Sequence, residues 1–107
     1  MNSLPLDLDL NLLRVLVQVH ADRKVSLAAE HLGMSQPAVS SALKRLRVAL
    51  GDRLFVPTAR GMQATPLTDE IAPQIAAALA TIGETIARKV SFDAATSQRQ
   101  FTMAMTD

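Results

Sequence analysis

The 107-residue chain has no cysteine, no tryptophan and no tyrosine, and only three phenylalanines. Without thiols it can form neither a disulfide framework nor a cysteine-based zinc site. With so few aromatics, its 49% of hydrophobic residues must build a core from Ala, Leu, Val and Ile, a palette that suits helix packing better than sheet. Its only histidines, His20 and His31, fall in predicted helices with no nucleophile or metal-ligand spacing beside them. An enzyme, a metal and a cofactor are therefore not expected, and His31 reads as a solvent-facing helix residue. Long apolar runs are also missing. The longest candidate, around residues 71 to 87, is interrupted by Pro73, Gln74 and Glu84 and is too alanine-rich for a good membrane span. Asp7 and Asp9 stand where a secretory leader needs basic residues. The expectation is a soluble cytoplasmic protein with no membrane partner.

A further absence is local. The net charge is only +1, yet no acid occurs from Met34 to Leu50. Residues 35 to 61 hold Lys44, Arg45, Arg47, Arg53 and Arg60 against Asp52 alone. A basic block within a near-neutral chain is the charge layout that suits a phosphate backbone.

What is present is mostly helical. Residues 1 to 8 read as a loose leader. From Asp9 the apolar residues Leu10, Leu13, Leu16, Val17 and Val19 form a helical stripe. Ser26 is a candidate N-cap for a short second helix holding Leu27, Ala28, Ala29 and Leu32, which Gly33 ends. Ser35 can cap a third helix with Pro37 in its first turn, running to about Leu50 before Gly51. Residues 54 to 65, LFVPTARGMQAT, read as a small β-hairpin of two short pieces, LFV and MQAT, around Pro57 to Gly61.

Thr65-Pro66 opens a long helix. Its stripe of Leu67, Ile71, Ile75, Leu79, Ile82, Ile86 and Val90 spans about 37 Å at 1.5 Å per residue. Residues 91 to 100 look polar and irregular, and FTMAMT, residues 101 to 106, looks like a strand. The organisation expected is a domain over residues 1–65, a linker helix over 66–90, and a hinge with a first strand of a further domain over 91–107.

The second and third helices fit helix-turn-helix spacing. Ala28, Leu32, Met34, Val39 and Ala42 fall on interior positions, Ala29 is small where the helices cross, and Gly33 is the turn. On a helical wheel, Ala38, Val39, Ala42, Leu43, Leu46, Ala49 and Leu50 share one face of the third helix. Gln36, Pro37, Ser40, Ser41, Lys44, Arg45 and Arg47 share the other, with Val48 the single intruder.

Such a face has two readings. One is simple solvation, but solvated faces usually mix charges of both signs. The other, which the missing acids favour, is a recognition helix. Gln and Ser lie in the first two turns, where base edges are reached, and long basic side chains follow at phosphate distance. The hairpin makes the unit winged. Arg60 at its tip suits the backbone or minor groove, or is an ordinary surface arginine. Thr58 is a turn residue or a phosphate donor, and Ser26 a cap that can also offer its hydroxyl to a phosphate. Ile75, Leu79, Ile82 and Ile86 have the 4-3-4 spacing of a coiled-coil seam. The fold class expected is mainly α: a winged helix-turn-helix of three helices plus a hairpin wing, followed by a long dimerisation helix. A second reading keeps the same fold but makes it a protein-docking module.

The stretch LAAEHLGMSQPAVSSALKRLRVALGDRLFVPTARGM, followed by LTDEIAPQIAAALATIGETIARK, closely resembles the N-terminal DNA-binding domain of LysR-type transcriptional regulators. SQPAVS, L-G-D-x-LFV and RGM carry the likeness, which spans roughly residues 7 to 107, in the branch of aromatic-degradation and nodulation regulators. The resemblance implies a sequence-specific regulator that binds double-stranded DNA at an interrupted palindrome, as a dimer or dimer of dimers. It implies that Gln36, Pro37, Ser40 and Ser41 approach bases, and that Ser26, Ser35, Lys44, Arg45 and Thr58 approach the backbone. It further implies dimerisation through residues 66 to 90, which carry Leu67, Ile71, Ile75, Leu79, Ile82 and Ile86. FDAATSQRQFTMAMTD resembles the hinge and first strand of the family's effector domain, so an aromatic inducer is expected to bind outside this chain. Two positions depart from the pattern. Many relatives have Arg where Pro57 stands, and Arg53 stands where this branch often has Pro. A backbone contact by Arg53 or Arg60 is expected to substitute.

Overall fold

The computed structural model describes residues 8–100, and the side chains of residues 8–90. The leader up to residue 7 and the strand expected at 101 to 106 lie outside the described residues. The order is α1 (Leu10–Asp22), α2 (Val25–Leu32), α3 (Gln36–Leu50), β1 (Phe55–Thr58), β2 (Gly61–Ala64) and α4 (Pro66–Gln100). The chain divides into two compact units, one up to Ala76 and one from Ala77. The first holds the three helices, the hairpin and the opening turns of α4.

Local chemistry sets most boundaries. The Asp9 carboxylate accepts the Leu12 N–H at 2.8 Å and starts α1. The Ser35 hydroxyl accepts the Ala38 N–H at 3.1 Å and starts α3, with Pro37 in the first turn as expected. Gly33 ends α2 at φ 67°, where its N–H and that of Met34 close on the carbonyls of Glu30 and Ala29. A Cβ at Gly33 would meet nothing within 4 Å, so the glycine is needed for its backbone angle and not for space. Thr65 caps α4 through the Thr68 N–H at 3.3 Å, ahead of Pro66.

Ser26 does not cap α2. The N-cap is Lys24, in extended conformation, and Ser26 lies in the first turn. Only Arg23 and Lys24 separate α1 from α2, and Arg23 is left-handed at φ 60°. The chain therefore reverses early enough to place Val25 against the core, and this packing overrides the preference for a serine cap.

The core of the first unit is aliphatic. Leu12, Val15, Leu16 and Val19 of α1 meet Ala28 and Ala29 of α2 and Val39, Ala42, Leu43 and Leu46 of α3, closed by Leu54, Phe55 and Ala64. The stripe read in α1 is rotated slightly: Leu10 is exposed, while Leu12 and Val15 are buried. Leu32 and Met34 pack at the edge of this core, as the helix-turn-helix spacing requires.

The hairpin is tighter than expected. β1 extends through Pro57 and Thr58, and the register Phe55↔Ala64 to Thr58↔Gly61 leaves only Ala59 and Arg60 in the turn. A two-stranded sheet has only edges, so proline is tolerated in it. Gly61 has φ 125°, and a Cβ there would lie 2.6 Å from the Arg23 carbonyl oxygen, which also accepts the Met62 N–H at 2.9 Å. The wing is thus pinned against the end of α1.

Helix α4 passes through Pro73 and continues to Gln100, whereas residues 91 to 100 were expected to be irregular. No glycine or proline follows Gly83 in the helix, and the absence of a breaker outweighs the polarity of that stretch. Ala72 and Thr68 are buried, and Leu67, Ile71 and Ile75 pack at the core's edge. The opening turns of α4 therefore pack against the core of the first unit. Further along, Ile82, Ile86 and Val90 are 39%, 56% and 58% exposed.

Candidate nucleic-acid interface

Helix α3 is fixed by one face and presents the other. Val39, Leu43 and Leu46 are fully buried and Ala42 nearly so, which sets the rotation of the helix. Gln36, Pro37, Ser40, Ser41, Lys44 and Arg45 are consequently all exposed, as is Val48. Among the described residues, the side chains of Gln36, Ser40, Ser41, Lys44 and Arg45 enter no hydrogen bond or ion pair. One amide side chain, two hydroxyls of short reach and two cations thus stand with unused hydrogen-bonding capacity on one surface.

Arg47 behaves differently from its neighbours. It is half-buried, and its Nε donates to the Arg53 carbonyl at 3.0 Å. Its side chain turns toward the wing and away from the face where the wheel places it. The Ser35 hydroxyl caps its own helix while remaining exposed. Ser26 is exposed in the first turn of α2, whose N-cap supplies no side-chain acceptor for the turn's amides. That leaves backbone N–H groups and a hydroxyl available to an anion.

In the wing, Thr58 is committed to the turn. Its hydroxyl donates to the Gly61 carbonyl at 3.0 Å and accepts the Arg60 N–H at 3.3 Å. Arg60 and Arg53 are exposed, as is Pro57. Thr58 and Arg60 therefore form one rigid tip, and Arg53 is joined to α3 through the Arg47 bond to its carbonyl.

Some features carry no mark in the sequence. A cleft of about 320 Å³ brings Asn11 of α1 beside Ser41 and Arg45, over a floor that includes Leu12, Val15 and Ala42. Asn11 is a polar residue at an ordinary helix position, and only tertiary packing places it there. Asp52 is the other case. Its Oδ1 accepts the Leu54 N–H and the Thr65 hydroxyl, both at 2.7 Å. Leu54, fully buried, is held at φ 67°, an uncommon angle for a non-glycine residue. The Asp52 carboxylate is thus occupied within the fold.

Away from this face, the Asp22 carboxylate accepts from Gln18 Nε2 at 2.9 Å and meets His31 Nδ1 at 2.8 Å. The Gln18 hydrogen bond, with help from His31, holds the Asp22 carboxyl below its ordinary value against an opposing effect of burial. His31 is half-exposed but joins α2 to α1, a role beyond the solvent-facing one expected. His20 and Arg23 similarly meet Asp69 at 3.0 and 3.6 Å, joining α1 to the first turn of α4. Among the described residues no His, Cys, Asp and Glu cluster suits a metal, and no helix is long and apolar enough to cross a membrane.

Comparison with known proteins identifies the fold and the family. The chain resembles the solved structure of a BenM DNA-binding domain in complex with catB site 1 DNA, with a TM-score of 0.74 at 22% identity, covering 80% of this chain and 97% of that one. This likeness shows the winged helix-turn-helix fold. In sequence, the chain is 52% identical over 101 residues to the HTH-type transcriptional activator NahR of Pseudomonas putida, covering 94% of this chain and 34% of that protein. It is 39% identical over 100 residues to Nodulation protein D 1 of Bradyrhizobium sp. (strain NC92), covering 94% of this chain and 32% of that one. The chain spans about a third of the length of these curated relatives. Residues 10–68 match the model of the bacterial regulatory helix-turn-helix proteins, lysR family. With this model matching more than half of its length, the chain belongs to the lysR family of bacterial regulatory helix-turn-helix proteins.

Proposed function

We propose that this chain is the DNA-reading part of a cytoplasmic transcription regulator that binds an interrupted palindrome as a dimer or a dimer of dimers. Helix α3 lies in the major groove. Gln36 offers a bidentate pair to an adenine edge, and Ser40 and Ser41, with Pro37 beside them, allow close approach to neighbouring bases. Lys44 and Arg45 follow at phosphate distance, and Ser35 and Ser26 present hydroxyls at helix N-termini. Arg60, Arg53 and Thr58 carry the wing toward the backbone or minor groove. The observation that carries this reading is the exposed, acid-free face of α3, on which the side chains of Gln36, Ser40, Ser41, Lys44 and Arg45 have no partners among the described residues.

Dimerisation is assigned to α4. Leu67, Ile71 and Ile75 are shared with the domain's own core, so the seam is centred on Leu79, Ile82 and Ile86. The exposure of Ile82 and Ile86 supports this reading, since apolar residues repeated at this spacing suit a partner helix. In the whole protein an aromatic inducer acts through a domain beyond this chain, a reading that rests on the family branch. The test is selection of bound sequences from a random duplex pool. Enrichment of two related half-sites is expected. A pool that stays random after repeated selection overturns the proposal.

A further inference from the structure

Arg47 belongs to the basic block by sequence, but its side chain is used inside the protein. Its Nε donates to the Arg53 carbonyl at 3.0 Å. Its own carbonyl accepts the N–H groups of Gly51 and Asp52 at 2.8 and 3.3 Å. One residue therefore grips the three-residue exit from α3 at both ends. Immediately beyond, the Asp52 carboxylate holds the Leu54 N–H and the Thr65 hydroxyl. The Leu54 carbonyl in turn accepts the Thr65 N–H at 2.9 Å and the Thr68 hydroxyl at 2.8 Å. The left-handed Leu54 is the corner of this junction, and the wing starts at the next residue.

We infer that Arg47 is a positioning residue for DNA binding: through its Nε bond to the Arg53 carbonyl it sets the wing's angle against the recognition helix, and it does not act as a phosphate contact. The inference rests on the DNA-reading function proposed above. Its physical basis is rigidity. Arg60 sits on a two-residue turn, and a cation at the end of a short hairpin meets a phosphate only if the hairpin's base is fixed.

Side-chain geometry supplies the test. In glutamine, Nε2 is as many bonds from Cα as Nε is in arginine, so Arg47→Gln keeps a donor in place and removes the charge. Arg47→Lys keeps the charge but has no donor at that position. Both variants are measured as the full chain on a duplex that the parent itself selected from a random pool, across a salt series. Arg47→Gln is expected to bind within about twofold of the parent with an unchanged salt slope. Arg47→Lys is expected to lose on the order of tenfold, with no further loss when Arg60→Ala is added. It should retain the parent's base preference at the position read by Gln36, which reports an intact α3. The opposite order, equal behaviour of the two variants, or additivity with Arg60→Ala overturns the inference and leaves the DNA-reading function standing. A parent chain with no sequence preference overturns both.

Discussion

Helices α3 and α4 begin alike. A hydroxyl side chain caps each, Ser35 in one and Thr65 in the other, and a proline sits in each first turn, Pro37 and Pro66. They then diverge in what they leave exposed. The apolar face of α3 is fully used, with Val39, Leu43 and Leu46 buried, and its polar face stays open. The apolar stripe of α4 is used only at the start, where Leu67, Ile71 and Ile75 pack at the core's edge, and Ile82, Ile86 and Val90 are left uncovered. The same opening signal thus yields two different surfaces. A polar face without acids suits a polyanion, and an uncovered stripe at helical spacing suits another apolar helix. Composition alone does not distinguish them; burial does.

The comparison can be broken most severely in the core. Leu46→Ala removes a fully buried side chain and is expected to destabilise the first unit by about 2–5 kcal/mol in chemical denaturation, whereas Ile86→Ala should change that unit's stability by less than about 0.5 kcal/mol. Equal losses would mean that both stripes are core. Next in size is association. Ile82→Glu places a charge in the proposed seam and should convert a dimer to a monomer in sedimentation. A parent that is already monomeric at high concentration would remove the seam.

On the polar side, Gln36→Ala is expected to lose about 1–3 kcal/mol of discrimination at one base position. Lys44→Ala should weaken all duplexes similarly and lower the salt slope by about one. Identical behaviour of the two variants would erase the division into base-reading and phosphate-contacting halves of α3. The smallest effect is expected at Asp22. Its carboxyl is lowered in the fold from the ordinary 3.8, first by Gln18 and then by His31. Its contribution to stability is therefore present above that value and lost as pH falls through the lower folded value. Asp22→Asn should flatten the acid limb of a stability–pH curve, and an unchanged limb would assign acid sensitivity elsewhere.

What could be read from the sequence was what local chemistry decides. The Ser35 cap, the Gly33 turn, the Gly51 stop and the Thr65-Pro66 start each need only a few consecutive residues, and all four are observed. The exposed face of α3 followed from helical periodicity for the same reason. Ser26 failed as a cap because Val25 is drawn to the core by residues distant in sequence. The corner at Leu54 could not be read because no glycine marks it, and its angle is held by Asp52, whose carboxylate also binds Thr65, 13 residues along the chain. A helical wheel groups Arg47 with its basic neighbours because it gives direction but not the partner that a long side chain reaches. Nothing in the sequence marks Asn11, because the cleft it shares with Ser41 and Arg45 exists only once α1 and α3 pack.

On the function proposed here, the acid-free face of α3 meets DNA. The most direct test is the affinity of the full chain for its selected duplex and for a scrambled duplex across a salt series. The logarithm of affinity should fall linearly with the logarithm of salt for both duplexes, because counterions are released from phosphates in both. The selected duplex should stay the tighter throughout. A response flat in salt, or equal affinity for the two duplexes, would contradict it.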